Sequence, residues 1–220
     1  MKKRIVILCS SFPPENGAAP TRMYHLAKML NDQGHSLTVI SAMPNYPTGK
    51  IFDAYKGRFI VKEKFDNINV IRTWMIPTNS SSKTKRILSL LSYSVSLLLI
   101  AAPQIKRLNP DLLIVSSPPF VTGYLGARIA RKTRTKVLLN ISDLWPKSAY
   151  DLGFIGNNWF YQFLCRREQK MYASADIFSV QSLAIKTHIE QGGHRQPIFL
   201  YRNLQPNFEQ ARLPRAQGKR

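Results

Sequence analysis

Apolar and polar positions change in blocks along this chain, and the blocks recur. Ile5-Val-Ile-Leu-Cys9 is a short apolar run, followed by a turn dense in Pro and Gly and by an amphipathic pattern that ends at Gly34. The order predicted is strand, turn, helix. Ser36 to Ser41 is a β-branched run, and Arg58 to Phe65 with Ile68 to Trp74 reads as a hairpin around Asp66-Asn67. A long apolar helix is predicted over Lys85 to Leu108. Thereafter the pattern predicts strands at Asp111 to Ser116, Lys136 to Ile141, Asp176 to Val180 and Pro197 to Tyr201. Helices are predicted at Val121 to Arg131, Asn158 to Tyr172 and Ala184 to Gln191. Repeated β-then-α units require right-handed crossovers and a mostly parallel sheet covered on both faces. The fold class is therefore α/β, Rossmann-like. In such sheets ligands gather beyond the carboxyl ends of the strands, so the loops after Ser10, Ser41, Ser116, Ile141 and Val180 should share one rim.

Composition narrows the partners. The 220 residues are 44 % apolar, enough for a buried core, and carry a net charge of +20 from 32 basic and 12 acidic residues. Such a balance favours an anionic partner: nucleic acid, anionic lipid or a phosphorylated substrate. The basic residues fall in scattered clusters, and neither an aromatic-studded basic sheet nor a recognition helix accompanies them, which argues against nucleic acid. Cys9 and Cys165 offer neither a disulfide framework nor metal-ligand spacing, in keeping with a reduced, cytoplasmic compartment. The N-terminal apolar run stops at Pro13-Pro14 without a cleavage signal, so it reads as a strand. Ile87 to Ala102 is shorter than the ~20 residues of a spanning helix and contains four serines. With Lys83-Thr-Lys-Arg86 before it, the segment is expected either to dock on an anionic membrane surface or to pack on the sheet as an ordinary crossover.

The chemistry sits in the rim loops. In Ser11 to Arg22, Gly17 permits close backbone approach, Asn16 can cap the helix, Pro20 suits its first turn, and Arg22 adds a positive charge, a pattern that suits an anion. An ordinary strand-to-helix connection would look the same, and neither GxGxxG nor the P-loop pattern is present. Met43 to Lys50 presents Asn45 and Tyr46 from a rigid Pro- and Gly-rich loop, Ser116-Ser-Pro-Pro-Phe120 follows another strand, and Ser142-Asp-Leu-Trp-Pro-Lys-Ser148 a third. An acid beside an indole suits a sugar, the ring face taking C–H groups and the carboxylate taking hydroxyl donors. The alternative is that Asp143 caps the next turn and Trp145 packs in the core. His25, His35, His188 and His194 have no ligand or triad spacing.

Taken in order, Phe12 to Arg22, the helix exit Leu30-x-x-x-Gly-His-x-Leu-Thr-Val39, Pro44-Asn-Tyr-Pro-Thr-Gly49, Ser116-Ser-Pro-Pro119 and Asp143-Leu-Trp-Pro146 resemble the N-terminal domain of bacterial family-4 glycosyltransferases. The nearest likeness is to members that build O-antigen, capsule and colanic-acid-like polysaccharides. It implies a GT-B enzyme with two Rossmann-like domains, retaining transfer from a nucleotide sugar, and an acceptor held mainly by this half. Carried over by position, Asn16, Gly17 and Arg22 would meet the donor diphosphate. Asn45, Tyr46, Ser117 and Trp145 would meet the acceptor, and Asp143 would be catalytic. The nucleotide sugar is a substrate, and neither a cofactor nor a metal is implied. A polyprenyl-linked acceptor would place the protein in the cytoplasm, peripheral at the inner membrane face. Two residues depart from the family: Gly17-Ala18 stands for a common Gly-Gly pair, and Ser142 for a frequent Arg. The family's Glu-x7-Glu motif is absent. The chain is thus expected to comprise an acceptor-side domain over residues 1–203 and a basic, disordered tail over 204–220, the donor-binding domain being lost or separately encoded. The alternative is a noncatalytic remnant or binding module that holds a lipid phosphate or another anion.

Overall fold

The computed structural model describes residues 2–201. The expected tail over 204–220 lies outside the described residues. Strands β1 (Arg4–Leu8), β2 (Ser36–Ala42), β3 (Ile60–Phe65), β4 (Ile68–Thr73), β5 (Leu112–Ser117), β6 (Lys136–Ile141), β7 (Ile177–Val180) and β8 (Ile198–Leu200) form one sheet, ordered β3-β4-β2-β1-β5-β6-β7-β8. Every pairing is parallel except β3 with β4. That hairpin turns on Asp66 and Asn67, both at positive φ (46° and 64°), the conformation a two-residue hairpin needs and one that Asp and Asn tolerate.

The helices are α1 (Ala18–Asp32), α2 (Lys83–Ser96), α3 (Ala102–Leu108), α4 (Phe120–Thr133), α5 (Lys147–Asp151), α6 (Trp159–Tyr172) and α7 (Leu183–Gln191). A π-helical turn, Leu97–Ala101, joins α2 to α3, so the long helix of the sequence reading runs from Lys83 to Leu108 with a local insertion. Alternation along the strands separates two cores. On one face α1 packs Met23 and Ala27 against Ile5, Ile7, Leu37 and Val39. On the other, α2 to α4, α6 and α7 pack Tyr93, Leu97, Ile105, Ile129, Met171 and Ile189 against Val6, Leu8, Val115 and Leu139. The carboxylates of Asp111 and Asp176 each accept a neighbouring strand's N–H at the amino edge, from Arg4 and Val137 (2.7 Å in both cases). The opposite, carboxyl edge is the one the rim loops occupy.

Helix starts follow local chemistry. Asn158 Oδ1 accepts from Tyr161 N (3.0 Å) at α6, and Ser182 Oγ from Ile185 N (3.3 Å) at α7. At α1 the expected cap differs: Gly17, not Asn16, occupies the N-cap position, and no side chain among the described residues caps the helix. Gly17 has φ 144°, a conformation an L residue rarely adopts.

Candidate functional site

Two buried charges shape the rim. Arg72 of β4 is fully buried, and its guanidinium donates to Glu63 Oε1 (2.7 Å), Ser41 Oγ (3.0 Å) and the carbonyls of Phe12 and Pro13. The β4 side chain thereby fixes the loop that follows β1. Glu15 in that loop, also buried, accepts at Oε1 from the backbone N–H groups of Asn45 and Tyr46 (2.9 Å each), fixing the loop that follows β2. Its other oxygen, Oε2, is buried with no hydrogen-bond partner among the described residues. Burial raises the Glu15 carboxyl above its ordinary range, against the opposing pull of the two N–H donors and of Arg72.

Between these two loops lies a cavity of about 360 Å³ lined by Ser10, Glu15, Asn16, Gly17, Asn45 and Tyr46, with Met75 and the first turn of α1. A Cβ on Gly17 would stand 4.0 Å from Tyr46 Cε1. Because α1 lacks a side-chain cap, its first N–H groups and the positive end of its dipole remain for a ligand. Tyr46 is exposed, whereas Asn45 is held in place by donating Nδ2 to Met43 O (3.0 Å). Four residues singled out by sequence, Asn16, Gly17, Asn45 and Tyr46, thus share one cavity.

The other four do not line it. Arg22 is buried and reaches across the sheet edge, donating Nη2 to Ser142 Oγ (2.8 Å); with the Gln181 amide turned so that its oxygen faces this pair, that oxygen accepts from Arg22 Nε (3.0 Å) and Ser142 Oγ (3.1 Å). It ties α1 to the ends of β6 and β7, and burial lowers its pKa. Ser117 is buried, and its carbonyl accepts from Ser142 N (2.8 Å). Trp145 is half-buried with its ring against Phe120, centroids 5.0 Å apart. Asp143 is exposed on the same carboxyl edge as Gly17 and accepts from Ser148 Oγ (3.1 Å) at the entry to α5. Among the described residues no group of three or more His, Cys, Asp or Glu converges as a metal ion would require.

Sequence reading overlooked Glu15, Arg72 and Gln181. A signal existed for Arg72: it interrupts the apolar strand Ile-Asn-Val-Ile-Arg-Thr, and pairing across Asp66-Asn67 sets it diagonal to Glu63 on one face.

Residues 17–203 match the family described as the glycosyl transferase 4-like domain. The chain belongs to that family. Among solved structures, this glycosyl transferase 4-like domain resembles sucrose-phosphate synthase of Thermosynechococcus elongatus (TM-score 0.60, 11 % identity, 91 % of this chain and 48 % of that one). HepE of Anabaena in complex with UDP gives a TM-score of 0.54 at 17 % identity, over 91 % of this chain and 44 % of HepE. A UDP-glucosyltransferase of Polygonum tinctorium gives 0.54 at 11 % identity, over 100 % of this chain and 56 % of the other. The domain spans about half the length of these structures and has the fold of one half of a GT-B glycosyltransferase. Comparison with curated protein sequences returns no match.

Proposed function

We propose that this domain is the acceptor-side half of a retaining, nucleotide-sugar-dependent glycosyltransferase of cell-surface polysaccharide synthesis. It acts with a donor-binding domain on a polyprenyl-linked acceptor at the cytoplasmic face of the inner membrane. The observation that carries the reading is the cavity at the uncapped start of α1, where Gly17 and Tyr46 meet on the carboxyl edge of the sheet. There the α1 dipole and the backbone at Asn16 and Gly17 stabilise negative charge developing on a leaving diphosphate. Asn45 and Tyr46 supply an amide and an aromatic face to an acceptor sugar, and Asp143, with Ser117 and Trp145 nearby on the same edge, takes sugar hydroxyls. Arg22 is a positioning residue in this scheme, since it holds Ser142 beside Asp143. That HepE was solved with UDP agrees with a nucleotide-sugar substrate for this fold.

Calorimetric titration and a transfer assay with a co-expressed donor-binding domain test the reading. The chain alone should bind a short-chain polyprenyl diphosphate sugar and bind UDP-sugars weakly, and transfer should require both halves. Gly17→Ala, strained at φ 144°, should weaken transfer. Tight nucleotide-sugar binding by this chain alone would move the donor to this half, and no affinity for the lipid-linked sugar would remove the acceptor assignment.

A further inference from the structure

The outward face of the helical layer is built against the ordinary rule for a water-facing surface. In α2 the polarity is inverted. Ser89, Ser92 and Ser96 are buried, while Ile87, Leu91 and Val95, and Leu98 in the π-helical turn that follows, are exposed, Leu91 being 58 % and Leu98 49 % exposed. Ser92 Oγ accepts from Ile76 N (2.9 Å) in the segment after β4, Tyr93 Oη donates to Cys9 O (3.2 Å), and Tyr93, Leu97 and Ile105 anchor the helix in the core. Spacings of three and four residues align the outward side chains as one apolar stripe.

Beside this stripe runs a groove of about 560 Å³ between α4 and α6, lined by Arg128, Arg131, Lys132, Arg167 and Lys170 and, among the described residues, by no carboxylate. Arg128 Nη1 and Arg167 Nη1 both donate to Tyr124 Oη (3.2 and 3.1 Å), so two guanidinium groups converge on a single phenol oxygen. None of these five cations takes part in the ion pairs found among the described residues. A second groove, between α3 and α4, is lined by Leu98, Lys106, Lys132 and Arg134. Lys132 lines both grooves, so the apolar stripe and the basic groove form one continuous surface. Phe163, exposed and 4.6 Å from the Arg167 guanidinium, borders its far side.

We propose that this face docks on an anionic lipid bilayer, the α2 stripe entering the boundary between headgroups and acyl chains and the α4–α6 groove taking lipid phosphates. Clustered cations relieve their mutual repulsion on an anionic surface, and an apolar stripe gains by leaving water, so one bilayer satisfies both. A second copy of the chain does not, because a two-fold contact would set the two basic grooves near each other without acidic partners. Nor does a nucleic acid, whose phosphate backbone offers nothing to a stripe of leucine, isoleucine and valine. The inference is independent of the transfer reaction proposed above, since it uses none of the residues on the carboxyl edge of the sheet.

Co-sedimentation of the full chain with phosphatidylglycerol-containing vesicles tests it. Binding is expected at low salt and not to pure phosphatidylcholine. Arg128→Glu with Arg167→Glu should reduce binding at least about tenfold, whereas the paired Lys substitutions should retain it. Leu91→Asp with Leu98→Asp should also weaken binding while circular dichroism stays unchanged. Failure to sediment at low salt, equal binding to neutral vesicles, or indifference to both variant pairs would overturn the proposal. Two further results would overturn it as well. One is that the Arg variants lose affinity for DNA but not for vesicles; the other is a dimer in light scattering that the Leu variants abolish while vesicle binding persists.

Discussion

At the residue scale, the candidate site depends on two buried side chains that hold its loops in place. Arg72 sits on β4 with no exposed surface, yet it braces the loop after β1 through two backbone carbonyls and through Glu63. Removing it takes the cation from Glu63, which is left with the Tyr55 hydroxyl as a donor, and strips the Pro13 carbonyl of the guanidinium, so Arg72→Ala should lower unfolding free energy by about 3 kcal/mol in a denaturant titration. Glu15 braces the next loop. Because burial raises its carboxyl, the folded chain holds that proton more tightly than the unfolded chain. The associated stability is complete below the ordinary carboxylate range and is lost as pH rises through the raised folded value. Thermal melting followed against pH should therefore show a decline in that window which Glu15→Gln removes. Glu15→Ala, by stranding the N–H groups of Asn45 and Tyr46, should cost about 1–3 kcal/mol at any pH. Arg72 was legible as a charge within an apolar strand, whereas nothing local announces that Glu15 is buried. Its partners lie 30 and 31 residues away.

At the scale of elements, periodicity served well where one face meets a core. All eight strands and the long helices lie where their pattern predicts, within a few residues at the ends. The central contact of the helical layer needs more than pattern. α4 approaches β5 so closely that a Cβ on Gly126 would fall 2.6 Å from Val115 Cγ1 and 3.1 Å from Leu8 Cδ2. The better helix propensity of alanine cannot offset that overlap, so Gly126→Ala should lose about 1–2 kcal/mol, and Val115→Ala in the same chain should restore part of it. Denaturant titrations of the two single variants and the double variant give this coupling directly. α2 shows the limit of amphipathic reasoning. Ser89, Ser92 and Ser96 lie inward and Leu88, Leu90 and Leu91 outward, with Ser94 only half-buried, whereas a helical pattern alone assigns the leucines to the core.

For the whole molecule, the parallel sheet gathers the rim loops at one edge and leaves the basic and apolar face of the helices on a different surface. Binding at one need not obstruct the other. If Asp143 acts on sugar in the assembled enzyme, Asp143→Asn should lower kcat about 100-fold with the melting temperature unchanged, since Asp143 is exposed and its side-chain bond among the described residues is to Ser148. Unaltered kcat would leave Asp143 as a partner of Ser148 alone. The α/β alternation, the hairpin at Asp66-Asn67, the edge that carries the loops and the family resemblance were all legible in the order of residues. All of these follow from local dihedral preferences, from burial with a period of 2 or 3.6, or from motifs in order. It took the folded chain to bring Asn16, Gly17, Asn45 and Tyr46 into one cavity, to turn Arg22 away to Ser142, and to gather five cations from α4 and α6 beside an exposed apolar stripe. Arg22 and Ser142 are 120 residues apart, and Arg72 and Phe12 are 60 apart. Contacts at such separations are set by how the layers close on each other, which periodicity along the chain does not encode.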